Sequence, residues 1–181
     1  MHRAWLFALP VLALAACARP APPGTVRPTA ALPSAAVPSA SATVDSAACA
    51  DGVRIVADRG DAAAGYREMG LHLTNCGDRP YNVDGRPQIV VLGKDKETLD
   101  VAVAPSVHYT AAPHPVTLAP GQSALAVVSW RNTFTDVNGE PTSGVYLSIA
   151  PIPGAPRQLV KPPSPLDLGN TGRLEVSVWQ P

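Results

Sequence analysis

Net charge and aromatic side chains are both in short supply. Lys+Arg and Asp+Glu each total 14 in 181 residues, and aromatic residues make up 5%. A chain so evenly balanced has no long-range electrostatic grip on phosphate, so nucleic acid is not expected as a partner. Lysine is confined to Lys94, Lys96 and Lys161. Helical periodicity is missing as well. From Cys49 onward no apolar repeat of helical period persists long enough to form a helix, and 21 prolines argue against a helical bundle. Catalytic signatures are equally sparse. Ser123 follows Pro-Gly-Gln rather than sitting in a G-x-S-x-G elbow, no glycine-rich loop opens a helix, and the three cysteines contain no C-x-x-C pair. An elbow nucleophile and a phosphate cradle are therefore excluded. No catalytic residue, metal ligand or cofactor site is read.

What is present begins at the N-terminus. His2 and Arg3 form a short basic opening, and Ala4 to Ala13 is an apolar stretch too short to cross roughly 30 Å of hydrocarbon. It leads into Leu14-Ala15-Ala16-Cys17, which matches a lipobox: small residues before the cut, then a cysteine whose sulfur accepts a diacylglyceryl group. The reading is a lipoprotein signal peptide over 1–16, lipidation at Cys17 with acyl chains such as palmitate, and a mature protein held on the extracytoplasmic side of the cell membrane. An ordinary signal peptide cut near Ala16 is the alternative. Each buried methylene of an acyl chain is worth about 0.8 kcal/mol, so two or three chains suffice for a durable anchor. Residues 17–48 follow as a linker of Ala, Pro, Ser, Thr and Val carrying Pro20, Pro22, Pro23, Pro28, Pro33 and Pro38. Such a segment cannot bury a core and is expected to be disordered, favouring extended conformations at about 3.1 Å per residue.

The folded domain is placed at 49–181. With Cys17 acylated, Cys49 and Cys76 remain, and an even pair in an oxidising compartment reads as one disulfide; a redox pair is the alternative. Val53, Ile55 and Ala57 alternate with other residues, as do Met69, Leu71 and Leu73. Ile89 to Leu92 is a continuous apolar run, and Gly93 to Glu97 reads as a charged turn returning through Leu99, Val101 and Val103 as a hairpin. Pro120-Gly121 suits the centre of a type II turn, followed by a strand to Trp130. Ala124, Ala126, Val128 and Trp130 share one face of it while Leu125 and Val127 share the other, which implies a central strand. Val145 to Ile149 and Leu174 to Trp179 complete the set. The expectation is an all-β, immunoglobulin-like antiparallel β-sandwich of about eight strands.

Several motifs in order also resemble a known family. Cys49, Ala63-Ala64-Gly65-Tyr66, Leu71-His72-Leu73-Thr74-Asn75-Cys76-Gly77, Gly85-Arg86-Pro87, Leu118-Ala119-Pro120-Gly121, Trp130 and Gly172-Arg173-Leu174-Glu175-Val176 are similar to the actinobacterial domain of unknown function 4232. The resemblance implies a secreted or lipid-anchored sandwich and supplies no active site. Relatives place the second cysteine about where Tyr81 stands, whereas this chain has Cys76.

Four groups of residues invite chemistry. His108 and His114 lie in a Pro-rich loop but lack the further ligands of a closed metal site, and are read as solvated. Asp136, Asn138, Gly139 and Glu140 resemble a fragment of a calcium loop, short of the required oxygens, and are read as a polar hairpin tip. Trp130, Trp179, Tyr109 and Tyr146 are read as core rather than as a binding surface. Ser123 is read as a turn serine. The functional expectation is a non-catalytic module tethered to the membrane through Cys17, displaying loops or a sheet edge to a protein or cell-wall partner. A secreted hydrolase or metal-dependent enzyme with scattered residues is the alternative.

Overall fold

The structure, a computed structural model, describes Val44–Asp45 and residues 48–181. The expected signal peptide at 1–16, the acylation site Cys17 and most of the expected linker at 17–48 lie outside these residues.

All regular structure among the described residues is β. In chain order the strands are β1 (Val44–Asp45), β2 (Val53–Ala57), β3 (Asp61–Ala63), β4 (Tyr66–Asn75), β5 (Tyr81–Val83), β6 (Gln88–Leu92), β7 (Ala102–Pro105), β8 (Val116–Leu118), β9 (Ser123–Arg131), β10 (Ser143–Gly144), β11 (Tyr146–Ala150), β12 (Gln158–Val160), β13 (Leu166–Asp167) and β14 (Arg173–Val176). They form a four-stranded sheet in the order β1-β12-β11-β6 and a six-stranded sheet in the order β2-β4-β9-β14-β7, with β3 on β4; β5-β8 and β10-β13 are small ribbons. The two main sheets make a β-sandwich, in more and shorter strands than the about eight expected. Pairing is antiparallel except for β1 with β12 and β7 with β14. Because β1 pairs with β12, the sheet begins inside the stretch read as linker, covering an edge of β12 that would otherwise expose unpaired backbone groups.

The alternation that marks the strands also builds the core. Val53, Ile55 and Ala57 are buried on β2 while Arg54 and Val56 are exposed. On β9, Ala124, Ala126, Val128 and Trp130 face inward, and the strand pairs with β4 on one side and β14 on the other, as a central strand must. Ile89 and Val91 of β6, Leu147 and Ile149 of β11, and Val160 of β12 supply the opposite wall. Trp179 is fully enclosed, its indole N–H donating to the Pro151 carbonyl at 2.8 Å. At the turn before β9, Gly121 has φ 82° and Gln122 N donates to the Ala119 carbonyl at 2.9 Å, the type II geometry that Pro120-Gly121 predicts.

The hairpin expected after β6 forms only at its tip. Gly93 N donates to the Glu97 carbonyl, and Leu99 N to that of Val91. The chain then crosses to the other sheet, where β7 pairs in parallel with β14. The charged turn reverses direction locally, but Val101 and Val103 pack against the core cluster from the other sheet rather than extending the ladder beside β6.

Two polar residues hold the sandwich together from inside. Gln158, 1% exposed, accepts from Ile55 N and donates from Nε2 to the Val53 carbonyl, both at 3.0 Å. Its primary amide acts as one more strand residue along the edge of β2, joining the two sheets. Asn75 is equally buried; its Nδ2 donates to the carbonyls of Arg79 and Leu118, and its Oδ1 accepts from Gly77 N. Beside it, Cys49 and Cys76 form a disulfide with Cα atoms 6.0 Å apart.

Candidate functional site

The outer face of the six-stranded sheet carries polar side chains in register. Glu68 of β4 lies opposite Ser129 of β9, which lies opposite Glu175 of β14; in the neighbouring row Tyr66 lies opposite Arg131. The strand period of two puts these residues on the face opposite Met69, Val128, Trp130 and Leu174. An outer face of an antiparallel sheet is ordinarily open to water. Here a loop roofs it.

The loop runs from the end of β7 and is fixed at three points. Ser106 N donates to the Val176 carbonyl, and Val107 N donates to Glu175 Oε2 at 3.1 Å. The Ser106 hydroxyl oxygen then accepts from His108 N and Tyr109 N, a local turn that sets both side chains over the sheet. His108 meets the Tyr66 ring edge-on with centroids 5.1 Å apart, and Tyr109 donates its hydroxyl to Glu68 Oε2 at 2.8 Å. The loop thus bridges β14 to β4 above β9.

Beneath it lies a groove of about 370 Å³ lined by Tyr66, His108, Ser129, Arg131, Arg173 and Glu175 among others. Arg173 Nη2 sits 3.3 Å from Glu175 Oε1, and the Arg131 guanidinium stacks over the Tyr66 ring at 5.7 Å. Ser129 is 1% exposed, and neither its Oγ nor the Tyr66 hydroxyl oxygen has a hydrogen-bond partner. An unpaired buried polar group costs roughly 1–3 kcal/mol, so two at one place is an expensive arrangement. Burial pushes the Tyr66 phenol above its ordinary value. The Glu68 and Glu175 carboxylates nearby push it further up, against an opposing effect of the Ser129 hydroxyl that is smaller than that of burial. Tyr109 is pushed up to about 12, chiefly by its hydrogen bond to the Glu68 carboxylate, which its ionisation would break.

With the sandwich, its disulfide and this face in view, comparison with known families becomes decisive. The model of the family described as Domain of unknown function (DUF4232) matches residues 49–180. The chain belongs to the DUF4232 family. No curated protein and no solved structure matches it. The matched segment of this DUF4232 protein takes in the disulfide, both main sheets except β1, and the whole groove.

The residues singled out in the sequence are placed as follows. Cys49 and Cys76 are bonded; Cys17 lies outside the described residues. His108 lines the groove, but His114 does not, its exposed ring instead lying 3.2 Å from the Ala112 carbonyl. No three His, Cys, Asp or Glu side chains among the described residues gather to hold a metal. The calcium-like fragment is a tied turn: Asp136 Oδ1 accepts from Asn138 N, and Asn170 clamps the loop by accepting from Thr135 N and donating to the Asp136 carbonyl. Ser123 shares a hydrogen bond with Thr74 across the strands. Trp130 and Trp179 are core, as read. The two tyrosines are not. Tyr109 is 37% exposed on the roofing loop, held out by its bond to Glu68, and Tyr146 is half-buried with the ammonium groups of Lys96 and Lys161 each 5.8 Å from its ring centre. Their hydroxyl and ring faces have polar and cationic partners at the surface, which a core position would deny them.

Tyr66, Ser129, Arg131, Arg173 and Glu175 were not singled out as a site in the sequence. Tyr66, Arg173 and Glu175 do fall within the family motifs, and all five share the polar half of the alternation on three strands, Tyr66-Arg67-Glu68, Ser129-Trp130-Arg131 and Arg173-Leu174-Glu175. Its meaning depends on which strands are neighbours and on the loop above, both of which are tertiary facts.

Proposed function

We propose that this protein is a lipid-anchored, extracytoplasmic recognition module: acylated at Cys17, non-catalytic, presenting the roofed outer face of its six-stranded sheet to a component of the cell envelope. The observation that carries the reading is the Cys49–Cys76 disulfide beside a sequence that opens with a lipobox. Protein disulfides persist in oxidising compartments outside the cytoplasm, which is where a lipobox delivers its cysteine. The non-catalytic part of the reading is supported by the separation of His108, which lines the groove, from His114, which does not. A covered polar groove with unpaired hydroxyls is suited to holding a ligand.

The test is the fate of Cys17. Mass spectrometry of the mature protein should find residues 1–16 removed and a diacylglyceryl mass on Cys17, with the protein in the membrane fraction. Cys17→Ala should release it to the soluble fraction or leave the precursor uncleaved. Mature protein that keeps residues 1–16, or begins at Cys17 without acylation, would refute the anchor.

A further inference from the structure

Native interiors leave few buried polar atoms unpaired, and each calls for a reason. The groove beneath the roofing loop holds two, Ser129 Oγ and the Tyr66 hydroxyl oxygen, and Ser129 is 1% exposed. The sheet positions Ser129 at the middle of the face, between Glu68 and Glu175 in register. Among the described residues Arg131 is held over the Tyr66 ring and pairs with no carboxylate, whereas Arg173 contacts Glu175. Arg131 is therefore the guanidinium of the lining without a carboxylate of its own, since Glu175 meets Arg173 and Glu68, opposite Ser129 in the sheet, is engaged by the Tyr109 hydroxyl.

We infer that this groove binds the carboxylate of a small acidic ligand, with the Ser129 and Tyr66 hydroxyls donating to it from the floor and Arg131 and Arg173 engaging it from the rim. A single negative charge matches the one guanidinium without a carboxylate; a phosphate dianion would bring a second negative charge beside Glu68 and Glu175. Guanidinium matches carboxylate geometry, and hydroxyl donors complete the oxygen's hydrogen bonding. A neutral sugar recognised by stacking fits less well, because Arg131 and His108 already occupy the Tyr66 ring. This inference names the ligand class for the recognition face proposed above and does not depend on the anchor.

The full chain, purified in detergent micelles, is titrated calorimetrically with acetate and glucuronate, which share a carboxylate, and with glucose and inorganic phosphate. Saturable binding of at least one carboxylate is expected, with no saturable heat from glucose and phosphate at least tenfold weaker. Arg131→Gln and Ser129→Ala should each weaken carboxylate binding about tenfold. Ser129→Ala should do so with a Tm no lower than the parent, because it removes an unpaired buried hydroxyl; that combination separates loss of a ligand contact from loss of fold. Absence of carboxylate binding, equal binding of glucose, tighter binding of phosphate, or unchanged affinity in both variants would overturn the inference. Any of these with Cys17 acylated would remove the ligand class and leave the anchored display domain standing.

Discussion

Gln158 shows how much one side chain can do when it substitutes for backbone. Its amide makes both hydrogen bonds that a neighbouring strand would offer to Val53 and Ile55, across a separation of 103 residues in one bond and 105 in the other. Gln158→Leu would fill similar volume but leave Ile55 N–H buried and unpaired, while the Val53 carbonyl would keep only its bond from Ala50 N. The expected loss is about 1–3 kcal/mol, read as a lower urea midpoint with an unchanged slope. Gln158→Glu is the sharper control. Near neutral pH it places a charge in the core and loses the donor to Val53, so it should be at least as damaging; on acidification the neutral acid regains that donor, and the gap to the parent should narrow as pH falls. A Leu variant as stable as the parent would show that Ile55 N–H finds another partner. Nothing in Pro156-Arg157-Gln158-Leu159 hints at this role, because both partners lie at the opposite end of the domain in sequence.

Turns between strands divide into those whose demands are local and those whose demands are not. Pro120-Gly121 was legible because a type II turn needs φ above zero at one position and glycine meets that need without outside help. Gly169 has φ 59°, but its constraint also comes from afar: an added Cβ would fall against the backbone of Thr133. Gly93 is crowded too, although only by the Glu97 carboxylate, the free end of a flexible side chain that accepts from Asp95 N. Gly169→Ala should therefore cost more than about 3 kcal/mol, and Gly93→Ala less than about 1 kcal/mol, the price of swinging Glu97 away. Denaturation midpoints of the two variants, measured side by side, decide it; equal losses would mean that Thr133 yields as readily as Glu97. The same division explains the hairpin after β6. Its turn was readable from Gly93 to Glu97, whereas the departure of the chain toward β14 is decided by a partner strand far along the sequence.

At the scale of the whole molecule, the sandwich was legible because alternation records which side of a strand is dry; β2 records it along its whole length, and β4 from Leu71 to Asn75 and β9 from Ser123 to Val128 record it in part. The groove was not, since its polar residues look like any solvated sheet face until the loop from Ser106 to Tyr109 closes over Ser129. The disulfide lies between these cases: the pairing followed from cysteine count, and its mechanical role follows from position. Cys49 stands at the entrance of the family-matched segment and Cys76 at the end of β4, with a sequence separation of 27. Closing a loop of that length stabilises the fold by about 3.5 kcal/mol in the chain-entropy model, through the unfolded chain. Cys76 N and Gly77 N both donate to the Gly52 carbonyl, and Ala50 exchanges hydrogen bonds with Val53, so the native path of the entrance has backbone support of its own. A Cys49→Ser, Cys76→Ser variant should therefore remain folded, with the parent's far-ultraviolet dichroism, while its Tm falls by about 10 °C. Its urea slope should rise, because the uncrosslinked chain exposes more surface on unfolding. A variant that fails to fold would mean that the bond is required to assemble the entrance of the domain. An unchanged Tm would mean that the reduced chain is already confined there, and that the disulfide adds nothing to the stability of the fold.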